Sequence, residues 1–265
     1  AGGVVPPGVR FVGLDLAWSS RNTSGGVVLE WEGERACPLA WREALGSDEE
    51  IIAFVRNGLA DAPGLIAIDA PLWVPNETGT RPCDLALSRA YRRAEAGALP
   101  ANRRRLGPRP RGEELVRRFS ELGFAFGPHV PPRQPVRQVI EVYPHPAAVE
   151  LFGLAKTLKY KARQGRPLET RRRELLRYLD LLRSLERREP PMEAEPLLSR
   201  LDIPRLRGGA LKRAEDLLDA CFCAYIALYI WWHGPGGCRT FGDETSGFIL
   251  VPIHVPGSSS LRETR

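Results

Sequence analysis

The chain of 265 residues contains no run of 18 or more apolar residues, and its start, AGGVVPPGVR, carries no basic region followed by an apolar one. A membrane span and a secretory leader are therefore not expected, and a soluble intracellular protein is. Cysteine is sparse: Cys37, Cys83, Cys221, Cys223 and Cys238 are odd in number and scattered, with no CxxC and no histidine at zinc spacing. That excludes a disulfide framework and a zinc centre, and it suits reduced thiols in a cytoplasmic protein. Lysine is sparser still, occurring only at 156, 159, 161 and 212, so arginine carries almost all of the basic charge. Together with abundant Ala, Leu, Gly and Pro, this skew resembles the product of a GC-rich genome. The net charge of +6 and pI of 9.3 nevertheless favour a polyanionic partner, because a basic surface accumulates phosphate-bearing ligands.

What is present is a pattern of β-formers interrupted by acids. Residues 10–18 (RFVGLDLAW) read as a buried strand. The turn-rich SSRNTSGG leads to a second strand, GVVLEWEG, which turns through Glu32-Gly33 into a third, RACPLAWRE. Ser47 and Asp48 offer N-cap chemistry for a helix to about Leu59, with Ile51, Ile52, Phe54, Val55 and Leu59 on its apolar face. The short apolar run LIAIDA then returns as a strand parallel to the first, completing β-β-β-α-β. A basic, Pro-rich insertion at about 73–137 contains two expected helices, 81–97 and 112–122, and the run RRRLGPRPR at 103–111. Gln138 to Tyr143 forms a fifth strand, broken by Pro144 and Pro146. A charged helical insertion occupies about 147–210, a final apolar helix 211–232, and GFILVPIHV could add an edge strand. Residues 256–265 are expected to be disordered. The expectation is a single α/β domain over residues 9–255, with a mixed five-stranded sheet flanked by helices and two helical insertions.

Chemistry is concentrated in four acidic segments: Asp15 in RFVGLDLAW, Asp69 in LIAIDAPLW, Glu141 in QVIEVYPHP, and Asp216 with Asp219 in AEDLLDACFCAY. An ionised carboxylate in a buried strand is costly without a partner. Adjacent parallel strands expose their C-terminal ends at one sheet edge, so Asp15 and Asp69 can converge there. Asp216 and Asp219, three apart, share one helix face. Such a cluster repels itself unless cations hold it, and an all-oxygen donor set suits Mg²⁺ or Mn²⁺. A two-ion site of this kind cleaves phosphodiester bonds.

In this order, the segments GLDLAW, AIDAPLW, RPCDLAL, EVYPHPA, LKYKARQG and EDLLDACFCAY resemble the domain of unknown function 429 family, from about residue 10 to 253. The resemblance implies a ribonuclease H-like fold, nuclease activity, and a divalent-metal site at Asp15, Asp69 and Asp219, joined by Asp216 and Glu141. The acid order is similar to that of the Holliday-junction resolvase branch of that superfamily. The chain departs from the expected pattern at Glu215, where another Asp would precede Asp216, so which helix acid binds metal stays open.

Other residues are candidates for holding the substrate. Lys159 and Lys161 in LKYKARQG stand out against the lysine-poor background as compact charges for a phosphate. Arg103, Arg104 and Arg105 supply the most basic run, and Arg81 begins the insertion near the Asp69 strand, either lining the cleft or pairing with Asp84. Trp18 and Trp73 follow candidate ligands and could pack in the core or stack on a base. His145 could pass protons near Glu141 or be structural. The leading expectation is a metal-dependent nuclease acting on DNA or RNA. The alternatives are a non-catalytic nucleic-acid-binding module of the same fold and an actin-like or sugar-kinase-like phosphotransferase. The last group places a glycine two residues after its first-strand Asp, whereas here Ala17 and Trp18 follow Asp15-Leu16 and no Gly-rich loop follows Asp69.

Overall fold

The computed structural model describes residues 8–256. Strands β1 (Arg10–Asp15), β2 (Ser24–Trp31) and β3 (Ala36–Leu45) form an antiparallel meander. Gly33, at φ +100°, supplies the left-handed backbone that turns β2 into β3. Helix α1 (Asp48–Leu59) starts where the Ser47 side chain accepts from the Glu50 amide, with Asp48, Glu49 and Glu50 facing the positive end of the helix dipole. It buries Ile51, Ile52, Val55 and Leu59 and delivers β4 (Gly64–Asp69) parallel to β1. The sheet continues with β6 (Arg137–Glu141), parallel to β4, and ends on β5 (Ala125–Phe126), parallel to β6.

The sheet therefore has six strands, in the order β3-β2-β1-β4-β6-β5, rather than the expected five. The additional strand is two residues long, too short to carry an alternating pattern. The segment GFILVPIHV is also corrected. Its β8 (Gly247–Pro252) pairs antiparallel with β7 (Cys238–Asp243) in a separate two-stranded sheet, linked to the strand end of β6 by one bridge between Val142 and Leu250. The Asp243 carboxylate accepts from the Thr245 and Ser246 amides and the Ser246 hydroxyl, which reverses the chain there and makes β7 the partner of β8.

Within the first insertion lie α2 (Pro82–Ala90), α3 (Arg103–Leu106) and α4 (Arg111–Glu121). Helix α2 is shorter than expected, because the chain turns back so that the Ala96 amide donates to the Tyr91 carbonyl. The strand ends before Pro144, as expected, and Pro144 and Pro146 open α5 (Pro144–Phe152), since the first helical turn needs no amide hydrogen from them. Helix α6 (Leu168–Ser184) buries Leu175, Tyr178, Leu179 and Leu182. The expected disorder at 256–265 falls, from residue 257 on, outside the described residues.

Alternation along the strands assigns each acid to a face. Phe11, Leu65, Ala67 and Ile140 join a core shared with α7 (Gly208–His233), whereas Val12, Leu14, Ile66, Ile68 and Val139 pack with Ile51, Val55, Leu115 and Phe119 of α1 and α4. With a period of two, Asp15 and Asp69 fall on the α7 face and Glu141, two after Val139, on the opposite one. Helix α7 is long and apolar enough by composition to cross a membrane, but 89 % of its most apolar stretch is buried in this fold. Two glycines let it lie directly on the sheet. A Cβ on Gly13 would stand 1.9 Å from the Ala220 carbonyl oxygen, and one on Gly25 2.6 Å from that of Asp216. That contact brings the acidic turn of α7 over the ends of β1 and β4.

Candidate metal centre

Asp15 and Asp69 are paired in register on adjacent parallel strands, and α7 brings Asp219 across them. Each of the three offers a carboxylate oxygen, and these oxygens lie within 4.8 Å of one another. An ion with bonds of about 2.1 Å sets its ligand oxygens roughly 3 to 4 Å apart. Shifts of less than about 1 Å would therefore bring this all-oxygen set to the geometry of Mg²⁺ or Mn²⁺.

The electrostatics agree with a cation-seeking site. Burial, reinforced by Asp219, Asp69 and Asp216 against the opposing charge of Lys161, holds Asp15 well above the usual carboxylate range. Asp69 is pushed up to about 8 by burial and by Asp219, with Lys161 opposing. Asp219 behaves differently. Burial works to raise it, but the charge and hydrogen bond of Lys161, aided by His145 and Tyr160, outweigh that and hold it low. The Lys161 ammonium lies 2.5 Å from Asp219 Oδ2 and 4.0 Å from Asp15 Oδ2. The Tyr160 and Tyr178 hydroxyls donate to Asp219 Oδ1 at 2.6 and 3.0 Å. Asp219 is thus charged and fixed, while the two strand acids repel each other across a gap.

Two expected site residues lie elsewhere. Glu141 was expected among the ligands, but its register opposite Ile68 turns it to the other face. There its Oε1 accepts from the Leu72 amide at 2.8 Å and both its oxygens accept from Arg81, at 2.9 and 2.7 Å. Arg81 is likewise not a substrate contact. It is 1 % exposed, and its guanidinium donates to both Asp84 oxygens, both Glu141 oxygens and the Trp73 carbonyl. Those bonds use all five of its donors, so none remains for a phosphate. The pair clamps the loop after Asp69 instead.

Asp216 pairs with Lys212 one turn earlier on α7 and acts on Asp15 only through its charge. Lys159 pairs with Glu95. Arg103 is tied to Glu113 at 2.9 Å and to the Pro108 carbonyl at 2.6 Å, whereas Arg104 and Arg105 are exposed. Arg105 lies 5.8 Å from the ring centre of Trp18, three residues after Asp15. Trp18 and Trp73 are 37 % and 38 % exposed, so neither is a core residue. An open groove of about 830 Å³ begins at Leu72 and Trp73 and runs along α4, lined by Arg103, Arg109 and Arg117 against Glu113, Glu114 and Glu121. His145 packs its ring between Tyr143 and Tyr160, and its Nδ1 is 3.0 Å from Thr157 Oγ1.

Sequence reasoning missed Tyr160 and Tyr178, which orient Asp219, and Arg171, whose guanidinium reaches the Tyr160 carbonyl at 3.2 Å and Glu215 at 3.3 Å. Tyr160 lies between the two lysines singled out in LKYKARQG, and that was its one available signal. Glu215, read as a departure from the expected pattern, is fully buried, and its Oε1 has no hydrogen-bond partner among the described residues.

Among curated proteins and among solved structures, none matches the chain. A protein-family model described as "Protein of unknown function (DUF429)" matches residues 13–246. That span contains both strand acids, the lysine loop and the acidic turn of α7, and the chain belongs to the domain of unknown function 429 family.

Proposed function

We propose that the protein is a nuclease dependent on Mg²⁺ or Mn²⁺, hydrolysing phosphodiester bonds of a nucleic acid at the Asp15–Asp69–Asp219 centre of a ribonuclease H-like fold. The observation that carries this reading is the convergence of three carboxylate oxygens within 4.8 Å from two parallel strands and a crossing helix. A divalent ion held by Asp15, Asp69 and Asp219 supplies Lewis acidity toward phosphoryl oxygens and acidifies water. The chain's own residues do the rest. Tyr160 and Tyr178 hold Asp219 in one orientation. Lys161, with about a third of its side chain exposed, presents a positive charge from the acidic cluster toward solvent, where a phosphate would enter. Arg104 and Arg105 on α3, beside Trp18, extend that charge along the edge near the end of β1.

Hydrolysis of a diester adds water across one P–O bond, leaving a phosphomonoester and a hydroxyl. The test is a panel of single-stranded, duplex, hybrid and branched DNA and RNA substrates, with Mg²⁺, with Mn²⁺ and with chelator. Cleavage that needs the metal and disappears in Asp69→Asn is expected. Binding without cleavage of any substrate would favour a non-catalytic nucleic-acid-binding module.

A further inference from the structure

Lys161 occupies a built position inside the acidic cluster. Its main chain is pinned on both sides, because Arg166 donates to its carbonyl at 2.6 Å and Arg171 to that of Tyr160 at 3.2 Å. Its ammonium lies 5.3 Å from the ring centre of Tyr160, against Asp219 and facing Asp15. One turn before Asp219 on the same helical face, Glu215 is fully buried, with Oε2 on Arg171 and Oε1 unpartnered among the described residues. An orphaned carboxylate oxygen in a dry site is costly and calls for a cation nearby.

The formal charges of the cluster suit one divalent ion. Asp15, Asp69, Asp219 and Glu215 bring four negative charges when ionised, Lys161 and Arg171 two positive ones, and Asp216 is balanced by Lys212. The difference, four minus two, is two, which one divalent ion neutralises. A second ion would have to expel the ammonium from between Asp219 and Asp15.

Accepting the metal-dependent reading above, we infer that this centre takes one divalent ion, at Asp15, Asp69 and Asp219, and that the Lys161 ammonium stands where the second ion of a two-ion site would be. Lys161 would then offer the substrate phosphate a fixed charge that needs no second metal.

The test counts Mn²⁺ bound by the full chain, by calorimetric titration and by electron paramagnetic resonance, and its readout does not depend on activity. The unmodified protein is expected to bind one Mn²⁺ with the spectrum of an isolated ion. Lys161→Met should bind two, with the spectrum of a coupled pair, because the ammonium no longer fills the space between Asp219 and Asp15. Two ions in the unmodified protein, or one in a folded Lys161→Met or Lys161→Gln variant, would overturn the inference and leave the nuclease proposal standing. No bound Mn²⁺ in the unmodified protein would overturn both.

Discussion

Asp15 and Asp69 stand directly opposite each other on adjacent parallel strands, both turned toward α7. The backbone thus forces two carboxylates together in a buried place, where burial raises both, reinforced at each by Asp219 and at Asp15 also by Asp69. Asp15→Asn or Asp69→Asn should abolish Mn²⁺ binding while leaving the melting temperature without metal unchanged or higher, since a repelling acid is replaced by a neutral amide. Calorimetry and thermal melts check the two halves separately. Undiminished Mn²⁺ affinity in both variants would refute the site.

Glu141 provides the converse case. Because its oxygens are taken by Arg81 and the Leu72 amide, Glu141→Gln should lower stability by about 3 kcal/mol, the typical cost of breaking a buried pair from one side. Mn²⁺ affinity should change by less than about tenfold, or about 1.4 kcal/mol, because no ligand is lost. Urea unfolding and Mn²⁺ titration on the same samples separate the two roles, and a complete loss of Mn²⁺ binding in a folded variant would restore Glu141 as a ligand.

The contrast between Asp69 and Glu141 shows where sequence reading stops. The β-β-β-α-β order, the N-cap at Ser47 and the convergence of Asp15 with Asp69 follow from alternation, capping chemistry and the parallel return, all local signals. The face of Glu141 depends on how β6 slides against β4, and a slip of one residue would have placed it with the triad. That register is set by packing some seventy residues away in sequence from Asp69. The pairing of Arg81 with Asp84 was readable at a spacing of three, but the third member, Glu141, joins only in the folded chain. Tyr178 carried no signal at all, since a tyrosine among leucines on α6 looks like any other core position.

His145 gives a pH dependence of known sign. Burial chiefly holds its ring at about 4, with Lys161, Lys159 and Arg166 acting in the same direction and Asp219 opposing. The unfolded ring, near 6.5, takes up a proton in the interval where the folded ring refuses it. Stability should therefore fall as pH drops from about 6.5 to about 4 and gain nothing further from this group above that range. The contribution is at most about 3 kcal/mol. Subtracting the melting curves of His145→Gln from those of the unmodified protein between these pH values isolates it, and parallel curves would refute it.

On the proposed nuclease reading, the same placement of charges narrows the arginines that would grip a polyanion. Arg103 is spent on Glu113 and the Pro108 carbonyl, so replacing it disturbs the link between α3 and α4 rather than a substrate contact. Arg104 makes no side-chain ion pair or hydrogen bond among the described residues. Arg105 gives one bond to the Pro100 carbonyl and lies beside the exposed Trp18. Arg104→Ala with Arg105→Ala should therefore weaken nucleic-acid binding without loss of thermal stability. If each contacts one phosphate, the slope of log affinity against log salt should flatten by about 0.9 per residue on duplex DNA and about 0.7 on single strands. Fluorescence anisotropy across a salt series measures this directly. The ratio of the two slopes also reports which form the protein prefers, because stacking of bases on the exposed Trp18 and Trp73 would keep more salt-independent affinity for single strands. An unchanged slope in the double variant would move the phosphate-gripping surface away from α3 and onto the lysine loop around Lys161.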